Sequence, residues 1–213
     1  MQYAPAILTL LAAAEIGAGL VHAQSTSMAR RLQADVDLLA NTGATAADRD
    51  RAQADLLAAI RTPGGQERFV VMFENAAFAI PAGNWLENVR TSNAPDRTSV
   101  CDVAMGVLHN TTDNQLIMAM IHAVLRQVVN QVQDDPNINP ISLAARVVKE
   151  LKAEVHGAGT RSKMNALRDI SNAMTDEEVT SAQRKFLQQV SVLSGQRPRS
   201  PTSPKLSASK PQP

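Results

Sequence analysis

The chain has 213 residues, which is enough for one domain of ordinary size with additional segments. Aromatic residues make up 3% of it and apolar residues 44%. The core must therefore consist mainly of Ala, Val, Leu, Ile and Met, a composition that favours helices over sheets. The single cysteine, Cys101, excludes an intramolecular disulfide framework and a cysteine-based metal cluster.

The net charge of +1 is unevenly distributed along the chain. Residues 1–148 contain ten arginines, no lysine and fourteen acidic residues, a net charge of −4. Residues 149–213 contain eleven basic and six acidic residues, a net charge of +5. A basic C-terminal third indicates an anionic partner, although part of it also fits a solvated tail.

Residues 1–24 leave two interpretations open. An apolar run over 6–14 and small residues at 21–23 are typical of a cleaved secretory signal peptide. No basic residue precedes the apolar run, and Glu15 interrupts it, which favours an ordinary first helix over about 4–22. Glu15 also argues against a stable membrane span, so we do not expect membrane association.

The spacing of apolar residues predicts several helices in the first half of the chain. Thr45 with Asp48 predicts a cap for one of them. The stretch Thr62 to Gly65 predicts a turn, and Pro81 predicts a helix break. The stretch Phe69 to Phe73 also fits a short buried strand. The predicted helices are Met28–Ala40, Ala46–Arg61, Arg68–Ile80, a short helix from Trp85 that ends by Thr91, and a helix through Val100 to Leu108 capped by Asp96 or Thr98.

The longest helical pattern runs from Thr111 to Asp135. Thr111 or Thr112 is suited to cap its start, and Pro136 ends it because the residue before a proline avoids helical angles. Its first half is apolar around most of its circumference, which is typical of a helix buried on several sides. The prediction is an all-α fold, an antiparallel helical bundle around a long central helix at about 111–134.

The remaining residues predict a C-terminal helical extension followed by a disordered tail. The predicted helices are Ile141–His156, Met164–Met174 and Asp176–Leu193, the last with Thr175 and Glu178 as its capping box. The basic Ser/Pro-rich stretch 196–213 cannot form a packed core. Ser200 and Ser203, each followed by proline, are candidate phosphorylation sites that would weaken the tail's positive charge. The predicted segments are 1–24 (first helix or signal peptide), 25–135 (helical bundle), 141–195 (C-terminal helices) and 196–213 (tail).

No motif in the chain predicts catalysis. The four histidines show no metal-ligand spacing, and no nucleotide-binding or nucleophile motif occurs. Cys101 and His109 are eight residues apart with no third group to complete a nucleophile and base pair. Asp134 and Asp135 are adjacent and point apart on a helix. We therefore predict a protein that is not an enzyme, with no catalytic residues, no metal, no cofactor and no small-molecule substrate.

Arginine replaces lysine throughout residues 1–148. Its planar guanidinium suits bidentate contacts with phosphate or carboxylate. The alternative is a GC-rich genome that favours arginine codons, with these side chains forming surface ion pairs. The arginines concerned are Arg49, Arg51, Arg61, Arg68, Arg90, Arg97 and Arg126.

Residues 28–135 resemble the coat proteins of rod-shaped plant viruses, the tobacco mosaic virus-like group. In that family, an Arg-Leu-rich helix precedes an Ala-Asp-Arg-Asp/Glu segment, a second helix and an Arg-Phe-Pro turn. Val70 stands where the family has proline, and the helices over 141–193 have no counterpart there. The matching pieces are Arg30-Arg31-Leu32, Ala47-Asp48-Arg49-Asp50, Leu56-Leu57 and Arg68-Phe69, followed by a helix ending near Arg90, a loop over 93–97 and a long helix from Thr111.

The resemblance implies a homo-oligomeric rod on single-stranded RNA, located in a virion or in the host cytoplasm. It implies that Arg90 and Arg97, in the loop that faces the inner radius, contact phosphates, with Arg68 as a third RNA-binding candidate. The alternative function is an exported bacterial helical protein, periplasmic or part of a secretion apparatus, with residues 1–23 removed.

Overall fold

All regular structure in the computed structural model is helical across the residues that it describes, which are 26–154, 160–177 and 179–195. The all-α prediction is confirmed, and the strand alternative for Phe69 to Phe73 is wrong. None of the described helices is long and apolar enough to cross a membrane. The nine helices of the described ranges are α1 (26–40), α2 (Ala46–Ile60), α3 (Pro63–Met72), α4 (Ala76–Asn88), α5 (Ala94–Asn110), α6 (Asn114–Asp134), α7 (Pro140–Glu154), α8 (Thr160–Thr175) and α9 (Ser181–Gly195).

Three predictions fall outside the described residues. They are the choice between first helix and signal peptide for 1–24, the disordered tail over 196–213, and the phosphorylation of Ser200 and Ser203 in that tail. These stay predictions.

The turn predicted from Thr62 to Gly65 is mostly the first turn of α3. The Thr62 hydroxyl accepts a hydrogen bond from the Gly65 backbone N–H at 3.1 Å, and Pro63 occupies the first helical turn. Proline is well tolerated there because the N–H that it lacks would have no partner within the helix.

The helix predicted over 68–80 is two helices. α3 ends at Met72, and the Asn75 side chain caps α4 by accepting a hydrogen bond from the Ala77 N–H at 3.0 Å. This local cap was not foreseen because the apolar spacing of residues 69–80 continues across the break.

The helix break predicted at Pro81 is wrong, because Pro81 lies inside α4. An interior proline destabilises a helix by roughly 3 kcal/mol. α4 nevertheless buries Phe78, Trp85 and Leu86 on either side of it. Burial of each such side chain contributes about 1.5–3 kcal/mol, so the packing of α4 outweighs the effect of the proline.

The caps of α5 and α6 differ from the predicted ones. Asn93, and not Asp96 or Thr98, caps α5. Asp113 caps α6 by accepting hydrogen bonds from the backbone N–H groups of Gln115 and Leu116, at 2.8 and 3.0 Å. The predicted caps Thr111 and Thr112 are two residues and one residue too early, because a carboxylate at 113 satisfies two of the free N–H groups at once.

The capping box predicted at Thr175 and Glu178 is wrong for Thr175, and Glu178 lies outside the described residues. Thr175 is the last residue of α8, and its hydroxyl donates to the Ser171 carbonyl at 2.7 Å. The box lies five residues later. The Gln183 side chain accepts from the Thr180 N–H at 2.8 Å, and the Thr180 hydroxyl accepts from the Gln183 N–H at 3.3 Å. α9 therefore begins at Ser181 and not at Asp176.

α6 packs against α4, α5, α8 and α9. Gly83 of α4 lies near Leu116 of α6, and Glu87, four residues later, contacts His122. Residue numbers therefore increase in the same direction along both helices, so α4 and α6 are parallel. α5 runs opposite to α6.

The core is mainly aliphatic, as predicted from composition. The aromatic residues are not dispersed through it, since four of them form one cluster on α3, its C-cap residue and α4. The ring centroids of neighbouring members lie between 5.0 and 5.8 Å apart, the spacing at which aromatic rings attract one another. The members are Phe69, Phe73, Phe78 and Trp85.

Candidate nucleic-acid interface

The connection between α4 and α5 contains Arg90, whereas Arg97 lies in the first turn of α5 and not in the loop predicted over 93–97. A buried glutamine of α6 fixes the path of the connection. The Thr91 hydroxyl donates to the Gln127 side-chain oxygen at 2.6 Å, and the Gln127 amide donates to the Val89 carbonyl at 2.9 Å. Val89 and Thr91 are buried, whereas Arg90 between them is exposed. The backbone at Arg90 is therefore anchored on both sides.

A second set of bonds joins the start of α5 to the end of α2. Arg61 forms a bidentate pair with Asp96, with N–O distances of 2.5 and 3.0 Å. The Asn93 amide donates to the same carboxylate at 2.7 Å. The hydrogen bond from Arg61 lowers the pKa of Asp96 and outweighs the opposing effect of burial. Asp96 is thus a buried, ionised anchor.

Arg97 joins the start of α5 to the end of α6 by an ion pair with Asp134. The Arg97 side chain is 16% exposed and that of Asp134 is 54% exposed. A phosphate that approaches Arg97 must therefore compete with a carboxylate already in place.

The three predicted RNA-binding arginines occupy different environments. Arg90 is exposed and makes no hydrogen bond or ion pair with any described residue. Arg97 is half-buried and paired, and Arg68 is half-buried on α3. The anchors of the first two on α6, Gln127 and Asp134, are seven residues apart, or about 10 Å along the helix axis. Arg90 and Arg97 are thus brought to one end of α6, and Arg68 lies on a different helix.

Sequence reasoning did not identify Gln127 as part of this site, although it is 1% exposed. Arg61 belongs to the arginines that the sequence suits to bidentate contacts, but its carboxylate partner Asp96 was not identified. The available signal for Gln127 was its position among Val124, Leu125 and Val128, where a polar side chain must find partners in the core.

An apolar groove of about 760 Å³ lies between α3, α4 and the junction of α5 with α6. Val71 and Ile80 in its lining are 47% and 63% exposed. Glu74 and Asp113 are the charged residues of its lining. Uncharged polar residues also line the groove, so it combines exposed apolar side chains with polar ones and an acidic border.

The thiol, imidazole and carboxylate groups that could take part in catalysis or metal binding do not come together in this part of the molecule. Burial raises the pKa of the Cys101 thiol to about 12, with further effects from Asp102 and Glu150, so the thiolate is not populated at neutral pH. Cys101 and His109 lie eight residues apart on α5, about 12 Å along its axis. Within the described ranges, no three or more His, Cys, Asp or Glu side chains are grouped to hold a metal ion.

His122 on α6 lies between two charged partners. Its Nδ1 is 2.6 Å from Glu87 of α4, and its Nε2 is 3.4 Å from an Arg126 nitrogen. The arrangement links α4 to α6. It is explained by helix packing alone.

In comparisons with known proteins, no family model, no curated protein and no solved structure matches this chain. The resemblance to the coat proteins of rod-shaped plant viruses therefore stays a prediction.

Proposed function

We propose that this chain is a non-enzymatic structural protein, coat-protein-like, that self-assembles and binds the backbone of single-stranded RNA. The observation that carries the proposal is the anchored α4–α5 connection. It presents Arg90 to solvent without a carboxylate partner among the described residues. Because the backbone at Arg90 is already fixed, only the side chain must be ordered when it binds a phosphate, which favours such a contact. The expected location is a virion or the host cytoplasm.

Arg97 has a secondary role in this proposal. Arg97 already forms an ion pair with Asp134. Replacing that carboxylate with a phosphate therefore contributes less binding free energy than a new contact would. Binding is then dominated by Arg90, and Arg97 contributes mainly when Asp134 is removed. Arg68 is the weakest of the three candidates because it is half-buried on α3.

The proposed architecture is a helical bundle organised around α6. Its contacts with four other helices support this arrangement. α5 is antiparallel to α6, whereas α4 is parallel to it, so the bundle is of mixed direction. The N-terminal helices and the C-terminal helices share one hydrophobic core, which includes Leu56 of α2 and Leu187 of α9.

Binding of a fluorescent single-stranded RNA to the full chain, measured by anisotropy, tests the proposal. Arg90→Ala is expected to weaken binding by about tenfold, the effect of losing one charge-assisted contact. Arg161→Ala is the matched control. Arg161 is also exposed without a described partner, and it lies beyond the opposite end of α5. Equal losses for both variants, or no RNA binding by the wild type, would contradict the proposal.

The apolar groove favours a second candidate function, that of an exported helical binding protein in the periplasm or a secretion apparatus. Exposed Val71 and Ile80 would contact an apolar segment of a partner. Mass spectrometry of the natural mature protein separates the two candidates. Loss of residues 1–23 supports export, whereas retention of Met1 or Gln2 excludes it and leaves the RNA-binding proposal intact.

A further inference from the structure

The apolar groove and the outer face of α7 carry complementary features. On the groove side, the exposed side chains of Val71 and Ile80 lie beside the exposed carboxylate of Glu74. Glu74 makes no side-chain hydrogen bond or ion pair with the described residues. Exposed apolar side chains bordered by charge are typical of an interaction surface.

The outer face of α7 is apolar at its start and basic further along. Ile141 is 54% exposed, and Ala145 and Lys149 follow it at intervals of four residues, on the same side of the helix. Arg146 is exposed beside them. Neither Arg146 nor Lys149 pairs with a described residue, in contrast to Lys152, which donates to the Leu193 carbonyl at 2.9 Å.

The two surfaces share no residue. α7 packs against α9 and α5, whereas the groove is formed by α3, α4 and the junction of α5 with α6. One copy can therefore use both surfaces at the same time. A contact between unlike surfaces of identical chains repeats head to tail and generates a ring or an open filament.

We infer that the α7 face of one copy docks in the α3–α4–α6 groove of the next copy. Ile141 then contacts Val71 and Ile80, and the basic residues of α7 lie opposite Glu74. Charge complementarity selects this occupant, since the charged residues of the groove lining are acidic and the described side chains of α7 expose three basic residues against one acidic residue. These residues are Arg146, Lys149, Lys152 and Glu150. The inference deepens the proposed self-assembly and rests on it.

Sedimentation velocity of the full chain across a concentration series tests this contact. Ile80→Glu is expected to leave the chain monomeric because it places a charge in the apolar part of the contact. Val192→Glu is the matched control, since Val192 on α9 is 57% exposed and lies outside both surfaces. Circular dichroism of each variant verifies that the helices are retained.

Charge reversal gives a second, independent readout. Glu74→Lys and Lys149→Glu are each expected to weaken association by about fivefold, and the double variant to recover most of that loss. If Ile80→Glu assembles like the wild type, or if the double variant does not recover association, the inference is overturned. Self-assembly through another surface then remains. A wild type that stays monomeric with and without RNA overturns both the inference and the proposed self-assembly, whatever the RNA affinity.

Discussion

The side chain of Gln127, buried in α6, accepts a hydrogen bond from the Thr91 hydroxyl at 2.6 Å and donates one to the Val89 carbonyl at 2.9 Å. One side chain thereby satisfies two buried polar groups of the α4–α5 connection. The exposed Arg90 lies between those two groups in the chain, so its position depends on a residue 37 positions later in the sequence.

Gln127→Leu is expected to lower the free energy of unfolding by about 2–3 kcal/mol. Leucine keeps the volume but leaves the Thr91 hydroxyl and the Val89 carbonyl buried without a partner. Urea denaturation measures the loss. Gln188→Leu, at an exposed position of α9, is the control and should change stability by less than about 0.5 kcal/mol. Equal stability of the two variants would show that the connection is not held in this way.

The two glycines at the start of α3 should respond in opposite ways to alanine. A Cβ at Gly65 would lie 1.9 Å from the Ala59 carbonyl oxygen, whereas a Cβ at Gly64 meets no atom within 4 Å. Gly65→Ala must separate α3 from the end of α2 and is expected to destabilise the chain by about 2–3 kcal/mol. Gly64→Ala should be neutral or stabilising by up to about 1 kcal/mol, through helix propensity. Thermal unfolding compares the pair, and similar melting temperatures would contradict the close approach.

Lys163 makes the free energy of unfolding depend on pH in the alkaline range. It is 2% exposed, and its ammonium donates to the Leu108 carbonyl in the last turn of α5. Burial lowers its pKa from the ordinary 10.5. Between the lowered pKa of the folded chain and 10.5, the unfolded chain binds more protons, so the free energy of unfolding rises with pH in that window.

Urea denaturation at neutral pH and near pH 10 measures this dependence. Lys163→Met should abolish the increase in the free energy of unfolding that this group contributes as pH rises. At neutral pH the variant should be about as stable as the wild type, because removal of a buried charge offsets the lost hydrogen bond. Lys149→Met, at an exposed position, should keep the rise. An unchanged pH profile for Lys163→Met would contradict this role of the buried ammonium.

Gln183 attaches the C-terminal helices to α6. It accepts from the Thr180 N–H and donates to the Val129 carbonyl at 3.1 Å and to Gln133 at 3.3 Å. Gln183→Ala is expected to destabilise the chain by about 2 kcal/mol, while Thr180→Ala removes only a cap and should cost about 1 kcal/mol. Hydrogen exchange should show the larger loss of protection in α9 for Gln183→Ala. The reverse order would contradict the attachment.

Local periodicity was sufficient to predict the all-helical structure, because each amphipathic segment carries its own pattern. The predicted helix boundaries were wrong where several residues suited to capping lie close together. Around Thr111, Thr112 and Asp113, the outcome depends on which side chain reaches two backbone N–H groups. At Pro81, the packing of the helix decided against a break, and this packing is not visible in the local sequence.

The candidate site could be predicted only in part. The arginines at 90 and 97 were selected by order and context, and the structure brings both to the same end of α6. The pairing of Arg97 with Asp134 and of Arg61 with Asp96 joins residues more than thirty positions apart. Such pairs depend on tertiary packing, for which a single sequence contains no local signal.

The central claim is that Arg90 contacts an RNA phosphate, and the salt dependence of RNA binding tests it most directly. The logarithm of the association constant should fall linearly with the logarithm of salt concentration. Arg90→Ala should reduce the magnitude of the slope by about 0.7, the value for one phosphate of a single strand. Arg161→Ala should leave it unchanged. A slope near zero for the wild type, or equal slopes for the wild type and Arg90→Ala, would contradict the account.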